Sequence, residues 1–134
     1  MQLRRSTLLQ FEDNPANARL VEELVARRGD LELSTASDAS NAVELVLLLK
    51  PDVILMDIKM PRVSGVQALA LLRANPMTAS IPVIALSSNA YLDEIRICLE
   101  AGFFCYLTKP FRLDVLMDKI DAALRQACEN HPRP

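Results

Sequence analysis

The chain repeats one pattern. A short, almost unbroken apolar run is followed by a longer stretch in which apolar residues return every three or four positions. The runs STLLQF (6–11), LELST (31–35), DVILMD (52–57), IPVIALS (81–87) and FFCYL (103–107) read as strands. In DVILMD every position between the two acids is apolar, the mark of a strand covered on both faces, as in a parallel sheet.

The longer stretches read as helices. Asn14 can cap one whose first residue is Pro15, because proline lacks only an amide that would be unpaired there. Leu20, Val21, Leu24 and Val25 then recur at helical spacing, and Arg27, Arg28 and Gly29 suit its end. Asp38 can cap a second helix over Ala39 to Leu49. Its VELVLLL segment also resembles a buried strand, but its length, Glu44 and the following Pro51 favour helix. A third helix is expected from about Gly65 to Ala74, and a fourth from Asn89, with Asp93 and Glu94 in its early turns and Gly102 at its end. Leu113, Leu116, Ile120, Ala123, Leu124 and Ala127 trace one face of a fifth. Strands separated by helices of this length predict an α/β fold with a doubly wound, five-stranded parallel sheet.

Composition narrows the partners. The chain has 134 residues, the size of one domain, and a net charge of −2, which gives no electrostatic argument for nucleic acid. Cys98, Cys105 and Cys128 form no CxxC pair, and an odd count is not a disulfide framework. Reduced thiols in a cytoplasmic protein are the plain reading. No apolar run approaches the roughly 20 residues of a membrane span, and MQLRRSTLLQ is too short an apolar segment for a signal peptide. His131 sits in a Pro-rich tail, where fraying is expected rather than function.

In a doubly wound sheet, ligands collect beyond the carboxyl ends of the strands. Those ends supply Glu12 and Asp13, Asp57, Ser87, and Thr108, Lys109 and Pro110. Three carboxylates at one rim repel unless they protonate, spread apart or meet a cation. All-oxygen ligation suits Mg²⁺ or Mn²⁺. Lys109 and Ser87 would then face phosphoryl oxygens, leaving Asp57 as the nucleophile. Each residue has an ordinary alternative: helix-start acids for Glu12 and Asp13, a helix cap for Ser87, a solvated loop lysine for Lys109. Asp57 is harder to dismiss, because an acid ending an apolar strand is costly unless paired or used.

LLQFEDNP, PDVILMDIKMPRVSG, IPVIALSSNA and GFFCYLTKPF together resemble the receiver domain of bacterial two-component response regulators, the family of the chemotaxis response regulator. The resemblance runs over residues 5–128, leaving 129–134 as a tail. It implies a flavodoxin-like (βα)5 fold with strand order 2-1-3-4-5. Asp57 would accept a phosphoryl group from a histidine kinase or histidine phosphotransfer protein. Glu12, Asp13, Asp57 and the backbone carbonyl of Lys59 would hold Mg²⁺, with Mn²⁺ able to replace it. Ser87 and Lys109 would contact the phosphoryl group, Tyr106 would move with Ser87, and the Lys109–Pro110 bond would be cis. The resemblance also implies a switch rather than a turnover enzyme. Its surface around the fourth helix, fifth strand and fifth helix would bind an output protein, with no direct contact to nucleic acid and no membrane insertion.

Several residues depart from the family pattern. Gln10 stands where an apolar residue is usual. Ser87 keeps the hydroxyl of the commoner threonine without its methyl. Lys59 and Asn89 occupy positions where variation tunes phosphoryl lifetime. Phe103-Phe104-Cys105 replaces the small and acidic residues that many DNA-binding regulators use in a dimer. Strand alternation puts Phe104 on the face of Tyr106, either as core filling or as an apolar partner surface with the helix 90–101. Leu48 is expected to point away from the core.

Three rival readings stand beside the switch. One is a receiver-like binding module that is not phosphorylated. Another is an Asp-nucleophile phosphatase, which would place its acid after the first strand with a second acid two residues on. Here Lys59 holds that place. A flavin-binding protein would need a Ser, Thr and Gly-rich first turn, and EDNPAN would repel a phosphate.

Overall fold

The computed structural model describes residues 5–130, without the side chain of Asn130. The strands are β1 (Ser6–Phe11), β2 (Leu31–Ala36), β3 (Val53–Asp57), β4 (Val83–Ser87) and β5 (Cys105–Thr108). The helices are α1 (Pro15–Ala26), α2 (Ala42–Leu49), α3 (Gly65–Ala74), α4 (Leu92–Ala101) and α5 (Leu113–Asn130). The strands form one sheet of order β2-β1-β3-β4-β5, and every adjacent pair is parallel. The expected architecture and order are those observed.

Alternation sorts the core onto two faces. Leu9, Phe11, Ile54, Met56, Val83 and Ala85 pack with residues of α2, α3 and α4. Leu8, Val53, Leu55, Ile84, Leu86 and Leu107 pack with α1 and α5. Val53 through Met56 are fully buried, and each such side chain contributes about 1.5–3 kcal/mol by leaving water. The central strand is therefore held by packing on both of its faces.

Asn14 caps α1 as expected: its Oδ1 accepts from the Ala16 and Asn17 amides at 2.9 and 3.2 Å, and Pro15 leads the helix. At the other end of α1 the cap is Arg27 in right-handed conformation, so Gly29 is not needed there.

Several boundaries differ from the sequence expectation, among them the end of β2 at Ala36 rather than Thr35 and the start of β3 at Val53 rather than Asp52. α2 begins at Ala42 rather than Ala39, because Asp38 Oδ1 accepts from the Ser40 amide at 2.5 Å and closes a turn first. β4 begins at Val83, since Pro82 has no amide to give the ladder. α4 begins at Leu92, after Asn89 Oδ1 accepts from the Tyr91 amide at 2.8 Å. β5 begins at Cys105, two residues late.

That last shift overturns the placement of Phe104. It precedes the strand and packs with the α1–α5 face, whereas Tyr106 packs on the α2–α4 face. The two do not share a surface, because alternation applies only inside the ladder.

Leu48 is exposed as expected, and its neighbours Leu47 and Leu49 are partly so. α5 continues through Asn130, so residues 129 and 130 belong to the helix. His131 and the rest of the tail, like residues 1–4, lie outside the described residues. Among those described, no helix is long and apolar enough to cross a membrane.

Candidate functional site

Parallel strands bring their carboxyl ends to one rim, and Glu12, Asp13, Asp57 and Lys109 meet there. Ligand oxygens of Glu12, Asp13 and Asp57 lie within 4.8 Å of one another. Glu12 and Asp57 are buried, while Asp13 faces solvent. Lys109 Nζ donates to Glu12 Oε1 at 2.7 Å and to Asp57 Oδ2 at 3.2 Å. The lysine is thus no solvated loop residue, and Glu12 is more than a helix-start acid, since besides the Asn14 amide it takes the lysine's bond.

The charges are unbalanced, for three carboxylates meet one ammonium. Burial raises the Glu12 pKa, and the adjacent Asp57 raises it further, against the downward pull of Lys109 and the Asn14 amide. For Lys109 burial works downward. The hydrogen bond to Glu12, with the charges of Asp57 and Glu12, outweighs it and leaves the lysine firmly protonated. A cluster of hard oxygen donors with spare negative charge suits a divalent cation such as Mg²⁺.

Two further peptides shape the rim. Asp57 Oδ1 accepts from the Lys59 amide at 3.3 Å, which bends the chain back beside the carboxylate. The Lys109 amide donates to the Ser87 carbonyl at 2.7 Å, which seats the lysine beside β4. The Lys109–Pro110 bond is cis, as expected.

Ser87 is buried but does not cap α4, whose N-cap residue is Tyr91. Its Oγ accepts from the Asn89 amide at 3.1 Å. The Tyr106 hydroxyl donates to the carbonyl of the same Asn89 at 2.5 Å. One residue of the β4–α4 loop therefore links the serine and the tyrosine. Burial pushes the Tyr106 phenol up, opposed by the Ser87 hydroxyl.

Gln10 now has a partial account. Its Nε2 donates to the Ala18 carbonyl at 3.0 Å and to Thr35 Oγ1 at 2.9 Å, tying β1 to α1 and β2. Its Oε1 is buried without a partner.

Other contacts were not anticipated. Arg62, in left-handed conformation at φ 67, donates to Asp38 at 2.5 Å and links the β3–α3 and β2–α2 loops. Arg73, half-buried, donates to the carbonyls of Ile81 and Gly102 at 2.8 and 3.1 Å. Gly65 packs against the backbone below Asp57. Only the start of α3 carried a readable signal: Ser64-x-x-Gln67 is a capping box, and both of its bonds form.

The family model for the response regulator receiver domain matches residues 8–121. The chain belongs to that family. It is 39% identical over 100 residues to the transcriptional regulatory protein PrrA of Mycobacterium leprae, covering 75% of this chain and 42% of PrrA. It is 32% identical over 109 residues to the sensor histidine kinase RcsC of Salmonella typhimurium, covering 81% of this chain and 11% of the kinase. It thus spans less than half of either relative. The receiver domain of the sensor histidine kinase PA1611 from Pseudomonas aeruginosa superposes with a TM-score of 0.79 at 31% identity, covering 92% of this chain and 98% of that one. That structure holds a magnesium ion in its active-site cleft.

Proposed function

We propose that the protein is a phosphoacceptor switch in which Asp57 takes a phosphoryl group from the phosphohistidine of a histidine kinase or phosphotransfer protein. The observation that carries this reading is the meeting of Asp57, Glu12, Asp13 and Lys109 at one rim, with Asp57 at the end of a strand buried at every position. An Asp57 oxygen attacks phosphorus, a P–O bond forms, and the P–N bond to the donor imidazole breaks. The leaving nitrogen keeps the electron pair and takes a proton from solvent.

Lys109 neutralises phosphoryl oxygens from the Asp57 side. Glu12, Asp13, Asp57 and the Lys59 carbonyl form the metal-holding set, and a bound Mg²⁺ or Mn²⁺ would supply positive charge against the phosphoryl oxygens. Ser87 turns its hydroxyl from the Asn89 amide to the new oxygens, and Tyr106, bonded to the same residue, follows. The altered surface of α4, β5 and α5 then meets an output protein. The acidic balance of the chain favours protein contacts over direct contact with nucleic acid. The reaction consumes the acceptor, so the domain is a switch and not a turnover enzyme. Free thiols fit a cytoplasmic setting.

Intact mass after incubation with acetyl phosphate, with and without Mg²⁺, tests this. One added phosphoryl group is expected, dependent on Mg²⁺ and absent in Asp57→Ala. No adduct from acetyl phosphate or from a phosphorylated histidine phosphotransfer protein would favour a receiver-like binding module instead. An adduct that persists in Asp57→Ala would indicate another acceptor.

A further inference from the structure

We infer that Gly65 is a positioning residue for the phosphoacceptor, and that its missing side chain sets where Asp57 and the Lys59 backbone stand. This deepens the switch reading and rests on it. A Cβ built at Gly65 falls 2.6 Å from the Asp57 carbonyl oxygen and 2.9 Å from Ile58 Cα. Both atoms are backbone, so no side-chain rotation relieves the overlap. Its φ is not in the left-handed region, where the positive-φ glycine is Gly102. The requirement at Gly65 is closeness, not an unusual conformation.

What comes close is the peptide that follows the nucleophile. The Ile58 amide donates to the Leu86 carbonyl at 3.0 Å, and the Ile58 carbonyl accepts from the Gly65 amide at 2.9 Å. Ile58 is therefore held on one side by β4 and on the other by the first turn of α3. Immediately beyond it, the Lys59 amide bonds Asp57 Oδ1. Any atom added at Gly65 must push α3 away or move the Asp57–Lys59 segment. The first breaks the Gly65–Ile58 bond, and the second shifts the carboxylate relative to Glu12, Asp13 and Lys109. The capping box of Ser64 and Gln67 braces this first turn, so the local route of least resistance is to move the site.

The test compares Gly65→Ala with Ala70→Gly. Ala70→Gly weakens α3 at an exposed position away from the site. Three quantities are read: unfolding stability, Mg²⁺ dissociation constant from amide shifts, and rate of phosphoryl uptake from acetyl phosphate. Gly65→Ala is expected to weaken Mg²⁺ binding and slow uptake by about tenfold or more, because ångström-scale misplacement carries costs of that order. Ala70→Gly is expected to lose stability with both site quantities unchanged. Equal behaviour of the two variants at the site overturns the inference.

If Gly65→Ala fails to fold, Ser64→Ala decides, since it loosens the same turn and adds no atom. Mg²⁺ binding weakened at least twofold supports the role, and unchanged binding overturns it. If wild type takes up no phosphoryl group, the switch reading fails by itself. Hydrogen exchange at the Ile58 and Lys59 amides then tests Gly65 separately: faster exchange in Gly65→Ala than in Ala70→Gly supports the positioning role, and equal exchange overturns it.

Discussion

The two helices that leave the rim after β3 and after β4 start in opposite ways. α3 opens with a complete capping box, seats Gly65 on the backbone of β3, and buries Ala68, Leu69 and Leu72. α4 opens at Tyr91 with no side-chain cap and buries only Cys98. Tyr91, Leu92, Ile97 and Leu99 are exposed. On the α3 side the loop is also tied outward through Arg62 and Asp38, whereas on the α4 side the Tyr106 bond to Asn89 reaches across. Under the proposed switch, the difference separates two tasks. A nucleophile needs a fixed support, and a reporter of its charge needs a neighbour that shifts at low cost.

The largest test of this contrast is truncation at equal chemistry. Leu72→Ala, fully buried in α3, is expected to cost about 2–5 kcal/mol in denaturant unfolding. Leu92→Ala, 82% exposed in α4, is expected to stay within about 0.5 kcal/mol. Equal losses would erase the distinction. Next come the caps, where the signs should oppose. Ser64→Ala is expected to lose about 1 kcal/mol. Tyr91→Ser, supplying the missing cap at an exposed site, is expected to gain up to about 1 kcal/mol and to slow amide exchange in the first turn of α4.

The smallest effect concerns the outer tie. Hydrogen bonding from Ser40, then from Arg62, lowers the Asp38 pKa from 3.8 to about 2. A depressed folded-state pKa stabilises above pH 3.8, and the contribution is lost as pH falls toward about 2. A carboxyl NMR titration should show that midpoint, and Arg62→Ala should move it upward.

Much of this is legible in the sequence. Runs of apolar residues and returns at helical spacing report burial on two faces or one, and burial is what a sheet covered by helices demands. Asp57, Glu12, Asp13, Ser87 and Lys109 were readable because parallel strands must deliver their ends to a common rim. Relations across the fold were less accessible. Phe104 changed face because the ladder began two residues later than its apolar run. α2 started late because Asp38 spent its oxygen on a turn. Nothing near Gln10 in sequence announces Ala18 and Thr35 as its partners, and nothing near Gly65 announces the Asp57 carbonyl. Arg62 and Asp38 meet only because two loops share the rim.

Arg73 has a mechanical consequence. Its guanidinium bonds two carbonyls, one at the residue that ends α4, and burial lowers its pKa. The far end of α4 is thereby fastened at Gly102, while its near end lacks a cap. The helix is a cantilever of ten residues, about 15 Å long at 1.5 Å per residue. A tilt of about 5° at the fastening carries the free end through more than about 1 Å over that length. In such a tilt the displacement would be largest beside Asn89, which bonds both Ser87 and Tyr106, and would fade toward Gly102. Lever length would set the amplitude of such a tilt.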